Sequence, residues 1–386
     1  MDLEALKDKP ARFIIGLMSG TSCDGVDAAL VRIKGTGENL QLKFLKFLNI
    51  PYPAAFRNRL MSKHVSVHEV CLLDFEVGEK LAEAAVEMKK QAEADGIAVD
   101  MVASHGHTAA HMPPRDGAGY GTLQIGESAV VSERTGLVVV SDFRPSDMVA
   151  GGQGAPLVPY ADWVLFGKYG RSLACLNIGG IANFTVVSKE LSKVYAFDTG
   201  PGNMAIDGAV RLLTRGEKSF DKDGESAAKG TVIDEFLEYL LSHPYFERQP
   251  PKSTGREEFG SEVYLRDALA SRKEYGYEDL IGTVTTAVCF SIVRAFNWYI
   301  KPRVDIDRII VSGGGAYNQT LIHWIQRALP EVKIRMSDRY GIPSNAREAV
   351  AFAILGNETI CGTLANVPNA TGASHPVILG KITPSR

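Results

Sequence analysis

Cysteine is scarce and scattered in this 386-residue chain, and its five cysteines form no CxxC pair. That pattern argues against a disulfide framework and a zinc site, and it fits a reducing cytosol. No apolar run approaches the roughly 20 residues that a membrane span needs. The charged start, MDLEALKDKPAR, lacks the apolar core of a signal peptide, so we expect no secretion.

Charge of one sign is not in excess either. The net charge of −3 offers no basic field for nucleic acid and no polybasic signal for a membrane surface. Neither GxxxxGK[ST] nor GxGxxG follows a suitable strand, so the sequence supports neither a P-loop nor a Rossmann dinucleotide site. The remaining composition, 45% hydrophobic, is that of an ordinary globular protein whose length favours two domains.

The first informative stretch is a polar turn between two apolar runs. Phe13–Leu17 and Val26–Val31 predict a pair of strands, and glycine, hydroxyl and carboxylate groups fill the turn between them. Gly16, Gly20 and Gly25 have no Cβ and so let a ligand approach the backbone, and carboxylates bind hard cations such as Mg²⁺. The turn fits a polyphosphate, and on these residues alone it fits an ordinary hairpin with a polar tip equally well.

Two further glycine-rich turns follow apolar strands. SLACLNIGGIANFTVV, from Ser172, repeats the order of strand, Gly-Gly turn and strand about one domain length after the first hairpin. SGGGAYN follows the strand Arg308–Val311 and opens a predicted helix, whose free N–H groups would bind an anion. Each turn alone is ordinary, but their recurrence predicts a duplicated α/β architecture.

Hydrophobic periodicity predicts the other main elements. The predicted helices are His68–Ala94, Glu127–Arg134, Met204–Leu213, Ile233–Leu241, Ile281–Phe296, Asn318–Leu329 and Ala346–Ile360. The further predicted strands are Leu42–Ile50, Met101–Ser104, Leu137–Ser141, Val194–Phe197 and Val377–Ile382. Asp142–Pro156 and His243–Gly260 are predicted loops, and a loop as long as the second is often functional.

The order of these turns resembles the sugar kinase, Hsp70 and actin superfamily. A closer resemblance, to the anhydro-N-acetylmuramic acid kinases, rests on GLMSGTSCDGVD, HGHTAAHMPP, DFRPSDMVAGGQGAP, NIGGIANFT, FDTGPGN, PPKSTGREEFG, SGGGAYN and NAREAVAFA. These segments span residues 16 to 353, and no motif position departs from the family's pattern. Cys23 stands at the variable position of GTSxDG.

This resemblance implies an α/β fold of two similar ribonuclease-H-like (actin-like ATPase) domains with an interdomain cleft. The expected lobes are residues 1–165, with the first hairpin, and 166–364, with the second hairpin, the catalytic aspartate and the adenosine motif. The tail 365–386 is a candidate to pack on the first lobe. ATP and Mg²⁺ are the implied cofactors, in a bacterial cytoplasm, without nucleic-acid or membrane partners. The oligomeric state stays open, a homodimer included.

The glycine turns and the resemblance together give the expected nucleotide-binding residues. They are Gly20, Thr21, Ser22, Cys23, Asp24, Gly25, Val26, Asp27, Gly179, Gly180, Gly313, Gly314 and Gly315. Asp24 is also the candidate to hold the metal, through water.

Asp198, in FDTGPGN, is the candidate catalytic base. A carboxylate at a strand end, before a turn forced by glycine and proline, is held stiffly enough for that work. On the residues alone, a cap of the next helix by Asp198 or Thr199 fits somewhat better. The resemblance favours the base, which takes a proton from water that attacks the anomeric carbon of a 1,6-anhydro sugar. The freed O6 then accepts the γ-phosphoryl group of ATP, which gives N-acetylmuramic acid 6-phosphate in cell-wall recycling.

Three histidines and two charged residues complete the candidate site. His105, His107 and His111 form an HxHxxxH set, for which a metal site and plain loop histidines are both open interpretations. The resemblance places His105 and His111 at the sugar. Arg144 could bind the lactyl carboxylate of a muramic acid through a bidentate ion pair, and Glu348 could accept hydrogen bonds from sugar hydroxyls. Without the resemblance, surface charges would explain Arg144 and Glu348 better.

Two rival functions stay open from the sequence. A kinase of the same superfamily could act on a different sugar, although the complete GTSxDG and DTGPGN set disfavours it. A nucleotide-driven conformational protein, like the chaperone and actin members, is disfavoured because no peptide-binding domain is appended. The role of residues 249–260, including Lys252, Ser253, Thr254 and Arg256, is left open.

Overall fold

The computed structural model describes residues 3–20, 23–62, 65–114, 119–169 and 172–385, apart from the side chain of Glu262. The chain forms two compact units: unit 1 is Met1–Lys168 with Ala346–Arg386, and unit 2 is Tyr169–Asn345. The helix after Ala346, which we expected in the second lobe, therefore belongs to unit 1. The reason is its direct backbone contact with the first strand of that unit, described below.

The described residues form mixed sheets flanked by helices, so the protein is of the α/β class. Strands β1 to β12 span, in order, Arg12–Ser19, Gly25–Lys34, Gln41–Pro51, Met101–Met112, Gly121–Ile125, Val138–Ser141, Leu173–Ile178, Ile181–Val187, Tyr195–Pro201, Arg308–Ser312, Lys333–Met336 and Lys381–Thr383. Helices α1 to α16 span, in order, Leu3–Lys7, Ala54–Leu60, Val67–Ala94, Ser128–Thr135, Arg144–Val149, Val158–Phe166, Asn203–Leu213, Glu225–Lys229, Asp234–Leu241, Arg256–Phe259, Ser261–Tyr264, Arg266–Ala270, Tyr277–Ala295, Gln319–Ala328, Arg347–Cys361 and Pro368–Thr371.

Unit 1 is built on a sheet of order β12-β6-β4-β1-β2-β3, with β5 paired to β4. Side chains alternate between the two faces of a strand, and β1 shows this directly. Ile15 and Leu17 pack in one core with the apolar stripe of α3. Gly16, between them, faces the backbone of α15, where an added Cβ would lie 1.9 Å from the carbonyl oxygen of Ala349. The sheet is thus covered by α3 on one face and by α15 on the other.

Unit 2 repeats this strand order with a sheet of order β11-β10-β7-β8-β9. In each unit an antiparallel hairpin and a third antiparallel strand precede two parallel strands. The shared order is what an internal duplication predicts. The long helix of this core, α13 with its continuation Phe296–Ile300, packs against β9 and against the helices α7, α8, α9 and α14.

That helix corrects the expectation that no apolar run approaches the length of a membrane span. Of the helices in the described ranges, Tyr277–Ile300 is long and apolar enough to cross a membrane, and 78% of its apolar window is buried inside the protein. We therefore interpret it as a core helix, because a buried core helix can be as long and as apolar as a membrane-spanning helix.

The predicted hairpins and the long helices are confirmed, with shifts of a few residues at their ends. The sequence missed short elements: β5, and the helices α5 and α6, which lie within or next to a glycine-rich loop. The predicted final strand is shorter than Val377–Ile382. It covers Lys381–Thr383, pairs with β6 and so lies in unit 1.

Candidate active site

The expected nucleotide-binding residues fall on three turns, after β1, β7 and β10, and on the first three residues of β2. The first turn lies in unit 1, and the other two lie in unit 2. Thr21 and Ser22 lie outside the described residues, so their expected role stays a prediction.

Protein contacts hold the described part of the first turn. The N–H of Cys23 donates to the carbonyl of Gly20 at 3.1 Å, and the N–H of Tyr52 donates to the carbonyl of Asp24 at 3.0 Å. Cys23 is buried with a φ of 55°, and its Sγ lies 3.9 Å from His107 Nε2. His107 is therefore a buried residue that supports this turn.

Packing explains two more residues of this turn. An added Cβ at Gly25 would lie 2.2 Å from the carbonyl oxygen of Ile50, so a neighbouring strand requires the glycine. Val26 is fully buried in the core. The idea that the small size of Gly16 and Gly25 admits a ligand is corrected, because other parts of the chain occupy that space. Any nucleotide contact of Gly25 and Val26 would involve the backbone alone.

Carboxylates gather beside this turn. Asp24 is largely exposed and pairs with Arg57 at 3.0 Å. Asp27 accepts a hydrogen bond from the amide of Asn49 at 2.8 Å. The pKa of Asp27 is raised to about 6, mainly by burial. The hydrogen bond from Asn49 opposes this rise, and the nearby carboxylates of Glu348 and Asp24 contribute to it. A local excess of negative charge of this kind favours a bound cation.

Direct ligation of a metal is not supported by the same residues. Within the described ranges, no group of three His, Cys, Asp or Glu residues could hold a metal ion. The metal interpretation of the HxHxxxH set is therefore disfavoured. A cation beside Asp24 and Asp27 would be held through water and through a bound phosphate, as Mg²⁺ commonly is.

The guanidinium of Arg144 is fixed by two hydrogen bonds. Its Nε donates to His105 Nε2 at 3.0 Å, and its Nη1 donates to the carbonyl of Gly154 at 2.7 Å. His105 Nδ1 lies 3.0 Å from the carbonyl of Gly106, which assigns the ring proton to Nδ1. Burial lowers the pKa of His105 well below its ordinary value, and the charge of Arg144 adds to this effect. The imidazole is therefore neutral.

The protein engages the ring of His105 closely, and its expected role at the sugar stays a prediction. Both of its ring nitrogens are engaged by the protein, and its ring packs on Phe352 at a centroid distance of 4.5 Å. His105 therefore orients the guanidinium of Arg144. Because Phe352 belongs to α15, the same helix supports both His105 and the neighbouring Glu348.

His111 and Glu348 lie in the field of Arg144. The Nδ1 of His111 lies 3.0 Å from Thr122 Oγ1. Burial lowers the pKa of His111 to about 4, and Arg144 contributes to this shift. Burial raises the pKa of Glu348, while Arg347 and Arg144 oppose that change. The structure therefore brings the four expected sugar-site residues together in unit 1, with His105 in a supporting position.

The loop that carries Gly154 is fixed by a buried carboxylate. Asp147, fully buried, accepts hydrogen bonds from the N–H of Gly154 at 2.8 Å, from Asn366 Nδ2 at 2.8 Å and from Thr371 Oγ1 at 2.7 Å. The C-terminal segment therefore fixes the carbonyl that holds Arg144. A substitution in this segment should therefore alter the position of Arg144, because Asp147 and Gly154 connect the two.

Replacing Thr371 with valine should lower the free energy of unfolding by about 1–3 kcal/mol, because a buried carboxylate loses one donor. Urea unfolding measures this change. Thr214→Val is the matched control, since Thr214 Oγ1 accepts from Lys218 N–H and donates to backbone carbonyls, with no buried charge involved. Equal effects of the two substitutions would contradict the assigned role of Thr371.

Asp198 is held at three atoms. Its Oδ2 accepts from the N–H of Thr254 at 2.9 Å, and its own N–H donates to the carbonyl of Lys252 at 3.0 Å. Its carbonyl accepts from the hydroxyl of Tyr245 at 2.9 Å. The backbone and the side chain of Asp198 are thus fixed by residues 245–254. This segment overlaps the loop 249–260, whose role the sequence left open.

The helix-cap alternative for Asp198 is wrong. Helix α7 begins at Asn203, its N-cap is Gly202, and no side chain caps it. Thr199 instead donates its hydroxyl to the carbonyl of Ala182 at 3.1 Å. The carboxylate of Asp198 is therefore not used by the helix.

The electrostatic setting of Asp198 suits a base. Burial raises its pKa to about 7, against the opposing effects of the Thr254 hydrogen bond and the Lys252 charge. A base that titrates near neutral pH combines ionisation at pH 7 with a strong affinity for a proton. Lys252 is itself buried, and this burial lowers its pKa to about 8.

The two glycine turns of unit 2 meet at the end of β7. Gly313 has a φ of 82°, and an added Cβ there would lie 2.6 Å from the carbonyl oxygen of Ile178. A Cβ at Gly315 would lie 2.3 Å from the side chain of Ile178, whereas one at Gly314 would meet Asn203 Nδ2 at 3.1 Å. The turns of Gly179–Gly180 and Gly313–Gly315 are thus brought together, as the resemblance implies.

The helix N-termini at these turns are less free than expected. The N–H groups at the start of α7 donate to the carbonyls of Gly179 and Gly180. Helix α14 begins after a short turn, Gly314–Tyr317, and the Oδ1 of Asn318 caps it by accepting from Leu321 N–H at 2.9 Å. Side chains such as Asn203, which the sequence did not single out, are the additional candidates for nucleotide contacts here.

Sequence comparison decides the family. The family model of anhydro-N-acetylmuramic acid kinase matches residues 12–385. The anhydro-N-acetylmuramic acid kinase of Caldanaerobacter subterraneus subsp. tengcongensis is 45% identical, over 97% of this chain and 98% of its own length. That of Clostridioides difficile is 42% identical, over 96% of this chain and 98% of its own length. This chain belongs to the anhydro-N-acetylmuramic acid kinase family.

Membership of the anhydro-N-acetylmuramic acid kinase family confirms the resemblance seen in the motifs. Solved structures are more distant. A ROK family glucokinase from Streptomyces griseus covers 89% of this chain at 11% identity, with a TM-score of 0.38. The family assignment therefore rests on the sequence relatives, and the roles of individual residues stay predictions.

Proposed function

We propose that this chain is an ATP-dependent kinase that opens 1,6-anhydro-N-acetylmuramic acid with water and phosphorylates its O6. The product is N-acetylmuramic acid 6-phosphate, in peptidoglycan recycling. Family membership supports the substrate. The observation that carries the chemistry is Asp198, which is half-buried, held at three atoms and has a carboxyl pKa raised to about 7.

Asp198 acts as the general base in this proposal. Its free carboxylate oxygen takes a proton from a water molecule while the water oxygen bonds to C1 of the sugar. The C1–O6 bond breaks, and O6 bonds to the γ-phosphorus of ATP while the bond to ADP breaks. Positioning and charge neutralisation supply most of the catalysis of that second step.

Arg144 and Glu348 are the proposed sugar-binding residues, with His111 beside them. The described contacts engage Nε and Nη1 of Arg144, which leaves Nη2 to bind the lactyl carboxylate of the sugar. Glu348 would accept hydrogen bonds from sugar hydroxyls. His105 orients Arg144 through its neutral ring, so the charge of the guanidinium stays available to the substrate.

The nucleotide is proposed to bind the backbone of the three glycine turns, with Asn203 as an additional contact. Asp24 and Asp27 would hold Mg²⁺ through water, because two neighbouring negative carboxylates attract a cation. Bound there, Mg²⁺ would neutralise negative charge on the phosphoryl groups. The chain's own contribution is to keep these two carboxylates close together on the first hairpin.

We also infer that each unit has a ribonuclease-H-like fold, from the strand order that the two sheets share. The interdomain cleft stays a prediction, as do the cytoplasmic location and a homodimer. No nucleic-acid or membrane partner is part of the proposal.

A substrate panel tests this function. With Mg-ATP, we expect ADP release only when 1,6-anhydro-N-acetylmuramic acid is present. ADP release with glucose or N-acetylglucosamine, and none with the anhydro sugar, would contradict the proposal in favour of another sugar kinase. ATP hydrolysis that responds to peptide or to polymerisation, and not to sugar, would favour a conformational protein.

The pH dependence of catalysis should follow Asp198. The carboxylate accepts a proton only when it is ionised, and its pKa of about 7 leaves it half protonated at neutral pH. We therefore expect kcat/KM to rise as pH increases through about 7 and to level off above. Initial rates from about pH 5 to about pH 9 measure this profile. An acid limb near pH 4, the value of an ordinary carboxyl group, would contradict it.

A further inference from the structure

The segment that holds Asp198 is residues 250–254, which we name the strap. It lies along the free edge of β9, the last strand of the sheet in unit 2. The carbonyl of Lys252 accepts the N–H of Asp198, and the N–H of Thr254 donates to its carboxylate. The strap therefore sets both the backbone and the carboxylate of Asp198.

The side chain of Lys252 anchors the strap in an aromatic cage. Its Nζ lies 4.7 Å from the ring centre of Tyr245 and 5.0 Å from that of Tyr299, and the residue is 8% exposed. A cation between two aromatic faces is attracted to both, and more strongly when water is excluded. Tyr245 also donates its hydroxyl to the carbonyl of Asp198. The cage thus touches the strap and the residue that the strap holds.

The charge of Lys252 is favoured by the two aromatic faces and opposed by burial. An uncharged side chain of similar length would fill the space between the two tyrosine rings without the desolvation of an ammonium group, but it would lose the attraction to the rings. Burial lowers the pKa of Lys252 to about 8, which shows that the protein opposes this charge. The carboxylate of Asp198 benefits from a positive charge nearby, and the charge of Lys252 lowers the pKa of that carboxylate.

We propose that Lys252 is a positioning residue for Asp198. The caged ammonium group fixes the strap that orients the carboxylate, and it places a positive charge beside that carboxylate. This inference rests on the proposed function of Asp198 as the base. Without the charge of Lys252, Asp198 would keep its proton to a higher pH and would be less often ready to accept one from water.

Other charged groups face the same two residues. Glu257 lies near Asp198 and raises its pKa. Arg248 and Arg294 lower the pKa of Lys252, whereas Glu247 raises it. These groups remain in place when Lys252 alone is replaced, so the replacement isolates the contribution of the ammonium group.

The test compares Lys252→Gln, Lys252→Arg and the control Lys218→Gln in the full-length enzyme. Lys218 also lies over an aromatic ring, 5.5 Å from the centre of Tyr277, and it has no contact with Asp198. We expect Lys252→Gln to move the acid limb of kcat/KM upward by about half to one pH unit, which lowers kcat/KM at pH 7 by about two- to fivefold. The KM for ATP should stay unchanged, Lys252→Arg should restore most of the activity, and Lys218→Gln should match the wild type.

Two results would overturn the inference. One is a Lys252→Gln enzyme with the wild-type acid limb, and the other is an equal loss of rate at every pH, which a merely structural role would give. If Lys252→Gln does not fold, Tyr299→Leu removes one face of the cage and keeps the charge. A wild-type kcat in that folded variant would also overturn the proposal.

A direct titration separates this inference from the proposed function. Carboxyl ¹³C resonances of labelled aspartate, with Asp198→Asn for assignment, report the pKa of Asp198 without any turnover. A higher pKa in Lys252→Gln supports the role of Lys252 even if the wild-type enzyme does not act on the anhydro sugar. If the wild-type enzyme acts on the anhydro sugar and Lys252→Gln leaves the pKa of Asp198 unchanged, only the role of Lys252 is rejected.

Discussion

Replacing Asp198 with asparagine is expected to lower kcat about a thousandfold while ATP binding stays close to that of the wild type. Asparagine has the same shape, and its Oδ1 can still accept the hydrogen bond that Thr254 N–H makes at 2.9 Å. It has no basic carboxylate, so it cannot take the proton from the attacking water. Steady-state ADP release measures the loss of turnover, and calorimetric titration with ATP measures binding.

A matched control distinguishes loss of the base from loss of a charge. Asp234→Asn makes the same chemical change in the first turn of α9, in the same unit but outside the site. It should leave kcat within about twofold of the wild type. An Asp198→Asn enzyme with a near-normal rate would reject Asp198 as the base, and one that no longer binds ATP would indicate a wider structural change.

Replacing Arg347 with methionine is expected to lower the free energy of unfolding by about 3–5 kcal/mol, because it removes the cation of a buried ion pair. Arg347 is 3% exposed and Asp162 is fully buried. The guanidinium Nε donates to Asp162 Oδ1 at 3.0 Å, and Nη2 donates to the other carboxylate oxygen. This pair joins α6 to the first turn of α15, next to Glu348. Urea unfolding measures the change.

Two further variants make this result specific. Arg134→Met removes an exposed ion pair with Glu79 at 2.6 Å, and its effect should be much smaller than that of Arg347→Met. The double variant Arg347→Met/Asp162→Leu removes both charges and should recover much of the lost stability. A single variant as stable as Arg134→Met would show that the buried pair does not stabilise unit 1.

The sequence located the elements whose signals are local. Alternating apolar runs around polar turns predicted the hairpins β1–β2 and β7–β8, because strands and turns each leave a short-range pattern. Long amphipathic helices such as α3 were equally clear. The short helices α5 and α6 were missed, since each begins with a proline near its first turn inside or beside a loop rich in glycine.

The sequence predicted individual residues of the candidate site, but it did not predict the contacts between them. Asp198 stands out from its motif, but Thr254, which binds its carboxylate, lies 56 residues further along the chain. No local pattern encodes that contact or the cage around Lys252. The hairpin glycines were also misinterpreted. A sequence shows that glycine is needed, whereas only the fold shows that the neighbour of Gly16 is the backbone of Ala349.

The measurement that tests the central claim most directly is the mass of the sugar phosphate formed from Mg-ATP and 1,6-anhydro-N-acetylmuramic acid in ¹⁸O-labelled water. Product made in ordinary water and then moved to labelled water corrects for spontaneous exchange at the anomeric carbon. The account predicts ADP and a sugar 6-phosphate in equal amounts, with one ¹⁸O at the anomeric position. A sugar phosphate without the label, or ADP without a sugar phosphate, would contradict coupled ring opening and phosphorylation.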